Sequence, residues 1–277
     1  MFAPFNKLVD FHTHCFPDKI ANATVFALHN NSGAIPHTDG TLDGLLNNLQ
    51  NANGTIAVNL PVLTKPTQFE SVAKFAIEIN KRFADSSVKV ISFGGMHPAC
   101  ENIEEKMQFL KDNGIKGVKI HPDYQETFID DDGYIIILEM AKKLDMIVVT
   151  HSGVDDGYKD KPVLCTPDRV LKVIEKVNHN KFVLGHYGAH RQWEEVYDKL
   201  AGKDVYFDTA FTFGSIDKEL FLKILEKHGE DKVLFATDCP WHDINADKLA
   251  LLSFGLSRET LEKIAYKNAC KLLNISL

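Results

Sequence analysis

The chain has 277 residues, 44% of them hydrophobic, and a formal net charge of −7. That is ample for a large buried core, in one large domain or two ordinary ones, and the acidic balance speaks against a nucleic-acid partner, which wants a basic face. Five scattered cysteines without CxxC spacing speak against a disulfide framework and for reduced thiols in a cytoplasmic setting. No apolar run reaches membrane-spanning length, and the first ten residues lack the parts of a signal peptide.

The first element is "LVDFHTHCFPD", Leu8 to Asp18. Leu8, Val9 and Phe11 read as a buried strand. Side chains alternate along a strand, so Asp10, His12 and His14 are expected on one face. The insert from Phe16 to Gly40 is long and is expected to form a small helical cap. "GTIAVNLPV" (54–62) is the second strand. In the next segment Phe69, Val72, Ala76, Ile79 and Phe83 recur at spacings of three and four, which places them on one helix face. "VKVISFGGMHP" (88–98) follows, then a helix stopped by Gly114, then "IKGVKIHP" (115–122) and "MIVVTHSG" (146–153). Thr166, Pro167 and Asp168 make a helix start: an N-cap, a proline at the first position and an acid in the first turn. "KFVLGHYG" (181–188), "DVYFDTAF" (204–211) and "KVLFATDCPW" (232–241) complete eight strands. A capped helix, "SRETLEKIAYKNACKLLN", closes the chain.

Eight apolar strands, each followed by a helix, with no linker between them, predict an α/β fold. We expect a (β/α)8 TIM barrel with a parallel closed sheet, spanning 1–277 as a single domain. The alternative is an open doubly wound sheet. No Gly-rich phosphate loop follows the first strand, which argues against a dinucleotide-binding version.

Active sites of such barrels lie at the C-terminal ends of the strands. Those ends carry His12 and His14, then Lys119 and His121, then His151, His186 and Asp238. An HxH pair alone is more often a polar strand end. Metal-type residues at five equivalent strand ends point to a metal site. Counting back by two gives Val149 beneath His151, Leu184 beneath His186 and Ala236 beneath Asp238, all apolar as an inner core layer should be. Asp10 beneath His12 is the exception. It either orients a ligand from behind or anchors a neighbouring backbone.

"VDFHTH", "GVKIHPDYQ", "VVTHSGV", "VLGHYG" and "LFATDCPW" together resemble the amidohydrolase superfamily, in the branch called amidohydrolase 2, related to aminocarboxymuconate-semialdehyde decarboxylase. The resemblance runs to the final "KNACKLL". It implies a metal held by His12, His14, His151 and Asp238. His186 would hold or activate water, or bind a second ion. Lys119 departs from the decarboxylase pattern: it would either be carboxylated and bridge two ions, or meet a substrate carboxylate. A single ion is expected in preference to two.

The implied chemistry is metal-dependent hydrolysis. A divalent ion, Zn2+ before Mn2+, lowers the pKa of bound water to about 7, and the hydroxide attacks a C–N or C–O carbonyl bond. Asp238 or His186 carries the proton. The alternative on the same scaffold is a metal-dependent non-oxidative decarboxylase. A barrel that only binds a ligand is a third possibility, which the intact ligand set opposes. The expected partner is a small carboxylate-bearing substrate, with Lys119, His121, Tyr124, Arg191 and Trp241 as its contacts. Arg191 could instead pair with Glu194 or Glu195 on the surface. His97, Gln125, Asp155, Trp193 and Phe211 are further wall candidates. Cys15 and Cys239, which follow ligands on neighbouring strands, are expected to be close packing residues. No membrane partner is expected, and a homodimer is compatible with an acidic barrel of this size.

Overall fold

The structure is a computed structural model that describes residues 7–277. The expectation of no signal peptide falls partly on residues 1–6, outside the described residues. The elements run in chain order as β1 (Val9–Thr13), α1 (Asp18–Ser32), α2 (Leu42–Asn51), β2 (Ile56–Asn59), α3 (Phe69–Arg82), β3 (Lys89–Ser92), β4 (Gly94–Gly95) and α4 (Ile103–Asp112). They continue as β5 (Gly117–Ile120), α5 (Asp132–Lys143), β6 (Ile147–Thr150), α6 (Pro167–Val177), β7 (Phe182–Leu184), α7 (Trp193–Glu195) and β8 (Tyr206–Asp208). The last are α8 (Lys218–His228), β9 (Val233–Leu234), α9 (Ile244–Ser253), α10 (Arg258–Glu262) and α11 (Asn268–Leu273).

Every strand pair is parallel, in the orders β1-β2-β3 and β4 through β9. The two sheets are one barrel. Phe93 joins β3 to β4 and donates its N–H to Asn59 O at 2.9 Å, so these two segments are a single stave with an interruption. Closure is made by Phe11 N to Phe235 O (2.9 Å), Asp238 N to His12 O (2.8 Å) and a parallel bridge between Thr13 and Cys239. The chain is a (β/α)8 TIM barrel, and α1 is the helical cap after strand one.

The helices start where short polar side chains can take an orphan N–H. Thr166 accepts from Arg169 N as predicted, and Thr41, Asp131, Asp217, Asp243 and Ser257 do the same elsewhere. Two apolar layers hold the fold. One, between strands and helices, includes Ala76, Val148 and Phe207. The other fills the barrel, with Phe11 set edge-on to Phe93 at 6.1 Å and Val149 and Ala236 beneath the mouth. Full burial of a side chain such as Phe11 is worth about 1.5–3 kcal/mol. Ala269, Leu272 and Leu273 of α11 join that inner layer and close its lower end. Among the described residues no helix is long and apolar enough to cross a membrane.

Two pleat expectations fail, each for a local reason. The register of β1 against β2 shifts between Asp10 and Thr13. Val9 and Phe11 belong to the inner layer, and the extra residue then reverses the alternation, so Asp10 and His12 face opposite sides. Leu184 packs in the outer layer and Val183 in the inner one. His186 returns to the mouth because His186 and Tyr187 both take left-handed φ, 59° and 56°. Such conformations cost about 1–2 kcal/mol per non-glycine residue. Here the turn is pinned by Tyr187 N on Asp208 O (2.6 Å) and His186 N on Asp208 Oδ1 (3.0 Å).

Candidate metal centre and active site

The mouth of the barrel opens into a cavity of about 590 Å³. His12, His14, Lys119, His121, Tyr124, His151, His186, Asp238 and Trp241 all line it. Phe16, Ile20 and Leu28 from the cap side, with Val62 after β2 and Val72 and Phe75 of α3, make its apolar walls.

Three of the expected ligands converge on one point. Asp238 Oδ1 lies 3.3 Å from His12 Nε2 and 3.0 Å from His14 Nε2, and one donor atom from each of the three residues falls within 4.8 Å of the others. The other ring nitrogens are committed. His12 Nδ1 donates to Asp208 Oδ2 at 2.8 Å, and His14 Nδ1 donates to Leu60 O at 2.9 Å. In the neutral ring the second nitrogen then carries a lone pair. Two lone pairs and a carboxylate oxygen therefore face one another, an arrangement that a divalent cation fits and that N and O donors suit. Burial, together with Lys119, pushes the His12 imidazole away from its protonated form. Burial opposes ionisation of Asp238, but the close approach of His14 and His12 outweighs it and holds the carboxyl far below the usual range.

Asp208 is the residue the sequence reading missed. Its Oδ2 fixes the His12 tautomer, and its Oδ1 accepts from His186 N (3.0 Å) and Ala210 N (3.1 Å). Asp10, the candidate for that orienting role, meets the backbone of His12 and not its ring. Its carboxylate accepts from Thr237 N at 3.0 Å and pairs with Thr237 Oγ1 at 2.6 Å, anchoring the neighbouring strand. Gly185 makes the His12–Asp208 contact possible: a Cβ there would stand 2.8 Å from Thr150 O and 3.4 Å from the His12 ring.

Lys119 is fully buried, and its Nζ donates to His12 Nε2 at 2.9 Å. Burial pulls its pKa down to about 8, against the charges of Asp208 and Asp238. His186 donates Nδ1–H to Ala210 O at 3.0 Å, which leaves Nε2 to accept from His151 Nδ1 at 2.8 Å. Burial moves the His186 pKa down to about 4, so the ring is neutral. The His186 ring stands 5.4 Å from His12 and 4.6 Å from His151.

His151 is thus held in another group than the resemblance implied. It stacks on His121 at 4.3 Å, and that pair gathers with Asp155. His121 in turn stacks on Tyr124 at 3.8 Å.

Arg191 departs from its expected place. It is outside the lining, 54% exposed, and donates to Asp156 Oδ2 (3.2 Å) and His190 Nε2 (3.2 Å) instead of Glu194 or Glu195. Gln125 spends both ends of its amide on Leu63 O, Met96 O, His121 N and Tyr134 Oη, so it braces the loops. His97 and Trp193 also lie outside the lining, Trp193 donating to His186 O at 3.1 Å. Asp155 and Phe211 line the cavity as expected, and so does His190, which sequence reasoning did not single out. Cys15 and Cys239 are buried free thiols, and Asn48 donates to Cys239 Sγ at 3.4 Å.

Comparison with known proteins bears on the family and the fold. The model of the amidohydrolase family matches residues 9–275. No curated protein sequence matches. Among solved structures, one described as an amidohydrolase from Staphylococcus aureus is similar at 19% identity, TM-score 0.69, over 97% of this chain and 100% of that one. A dihydroxybenzoic acid decarboxylase from Polaromonas, solved with manganese and 2-nitroresorcinol, is similar at 16% identity and TM-score 0.67 over 98% and 97%. A protein from Acinetobacter baumannii described as a 2-pyrone-4,6-dicarboxylic acid hydrolase, with citric acid bound, is similar at 14% identity and TM-score 0.67 over 97% and 99%. With its match running almost from end to end, the chain belongs to the amidohydrolase family of enzymes.

Proposed function

We propose that this chain is a metal-dependent hydrolase that cleaves a C–N or C–O bond at the carbonyl of a small, carboxylate-bearing substrate. The observation that carries this reading is the fixed tautomer of His186. With Nδ1–H held on Ala210 O, its Nε2 is an acceptor at the mouth of the barrel, the form a general base requires once the attacking water takes the place of the His151 Nδ1–H that it now accepts at 2.8 Å.

His12, His14 and Asp238 would hold the ion, zinc or manganese, which when bound polarises the carbonyl and makes water acidic. His186 takes the proton of the attacking water and returns it to the leaving group. Asp238, ionised beside His12 and His14, is the second group placed to accept it. Lys119 binds the substrate carboxylate. An ammonium has three donors; the one that meets His12 Nε2 in this structure would be freed for substrate if that nitrogen held the ion. The apolar walls set by Ile20, Leu28, Val62 and Val72 exclude bulk water and strengthen that ion pair.

A second activity, non-oxidative decarboxylation, is favoured by the decarboxylase with bound manganese that shares this fold. In that case Lys119 would orient the carboxylate that leaves. A panel of esters, lactones and phenolic acids, each bearing a carboxylate, distinguishes the two with the manganese-loaded protein. New acid without carbon dioxide supports the hydrolase. Carbon dioxide released one for one with substrate consumed moves the chain to the lyases.

A further inference from the structure

The cavity that holds Lys119 and His186 also has walls that the proposed reaction leaves without a ligand group to meet. Helix α1 begins close after β1, and near its other end Asn31 Nδ2 donates to Gly157 O, in the loop after β6, at 3.1 Å. Those two strands are not neighbours in the sheet, so the helix lies across the mouth. Its core-facing residues are Ala21 and Val25, both buried. Ile20, Thr24 and Leu28, spaced by four, form a separate stripe that lines the cavity. Helix α3 is built the same way. Phe69, Ala73, Ala76 and Ile79 are its buried residues, while Ser71, Val72 and Phe75 line the cavity. Of the lining residues on these two helices only Lys19 is charged, and it is exposed. Ile20 is 50% exposed, and Leu28, Val72 and Phe75 are half-buried. The fold therefore turns two apolar helix faces to the cavity and does not cover them itself.

Size points the same way. The cavity measures about 590 Å³, whereas about 150 Å³ is enough to hold benzene. A single-ring acid beside Lys119 would leave most of the space open. From Ile20 to Leu28 the stripe rises about 12 Å at 1.5 Å per residue, and an extended chain advances roughly 1.2 Å per bond.

We propose that the facing sides of α1 and α3 form a binding arm for an uncharged alkyl tail of about six to ten carbons. The substrate class is then an acyl compound with its carboxylate-bearing head at Lys119 and its tail under the cap. The inference rests on the proposed function for the place of the head, and it adds what the rest of the molecule is. Thr24 stands in the middle of the stripe, so the size of its side chain sets how long a tail the arm accepts.

The test is the binding of straight-chain carboxylic acids, from butanoate to dodecanoate, to the full manganese-loaded chain by isothermal titration calorimetry, below micelle-forming concentrations. These acids carry no scissile bond, so the result does not depend on which reaction the chain performs. Affinity should rise about fourfold per methylene up to octanoate or decanoate and then level off. Thr24→Phe should move that break to shorter chains. Leu28→Asp sets a charge against the tail and should lower decanoate affinity by roughly tenfold or more, with an unchanged circular dichroism spectrum. If Leu28→Asp fails to fold, Leu28→Ser takes its place and should flatten the rise. An affinity that does not change with chain length would overturn the arm while leaving the proposed function standing, and so would the same rise and the same break in wild type and both variants. Binding of no acid at any length would overturn both.

Discussion

Replacing Asp208 with asparagine changes one atom, yet it should disable His12. Both carboxylate oxygens already accept: Oδ1 from His186 N at 3.0 Å and Ala210 N at 3.1 Å, Oδ2 from His12 Nδ1 at 2.8 Å. Asparagine has a single oxygen. If that oxygen stays on the two backbone N–H groups, its NH2 meets His12 Nδ1, and two donors cannot face each other. His12 must then move its proton to Nε2, where it points at Lys119 Nζ, 2.9 Å away, and is lost as a ligand. Losses of this kind reduce metal affinity about 10–100-fold, or about 1.4–2.7 kcal/mol. If the amide flips, two buried N–H groups lose their acceptor at about 1–3 kcal/mol each, and the metal-free protein becomes less stable instead. Manganese titration and urea unfolding of the metal-free protein read the two branches separately. Asp208→Asn with wild-type metal affinity and wild-type stability would refute the tautomer argument.

Lys119→Met should retain metal at His12, His14 and Asp238 while raising KM for a carboxylate-bearing substrate about 10–100-fold, the worth of a charged hydrogen bond; an analogue lacking the carboxylate should show no such change. His186→Gln keeps an acceptor for His151 and should lower kcat by about 10²–10⁴ with metal content unchanged, as steady-state kinetics and elemental analysis would show. Burial lowers the pKa values of His179 and His228 to about 4. Between pH 6.5 and pH 4 the unfolded chain binds more protons there, so stability should fall as the pH falls through that window, by up to about 1.4 kcal/mol per pH unit for each group. His228→Gln should flatten that slope in urea titrations, and an unchanged slope would remove His228 from the acid response.

The strand-end ring was legible because its signal is local: an apolar run followed by His or Asp recurs stave after stave, and parallel strands carry those ends to one face. What the sequence hid depends on backbone geometry that alternation does not encode. The extra residue in β1 turned Asp10 away from His12, and the left-handed His186 and Tyr187 brought His186 back to a face that its parity denies it. Asp208 ends β8, a strand end like those of the expected ligands, so its place in "VYFDTAF" was a usable signal. Arg191 follows the His186 strand closely in sequence, but Asp156 and His190 hold its guanidinium at the rim.

On the proposed reading His12, His14 and Asp238 hold an ion. Elemental analysis of protein purified without added metal or chelating resin, compared with the His12→Ala and His14→Ala double variant, tests it most directly. Wild type should carry at least one zinc or manganese per chain, and the folded variant should carry one fewer. A wild-type chain that holds no metal and takes up none on reconstitution, or a double variant with undiminished content, would contradict it.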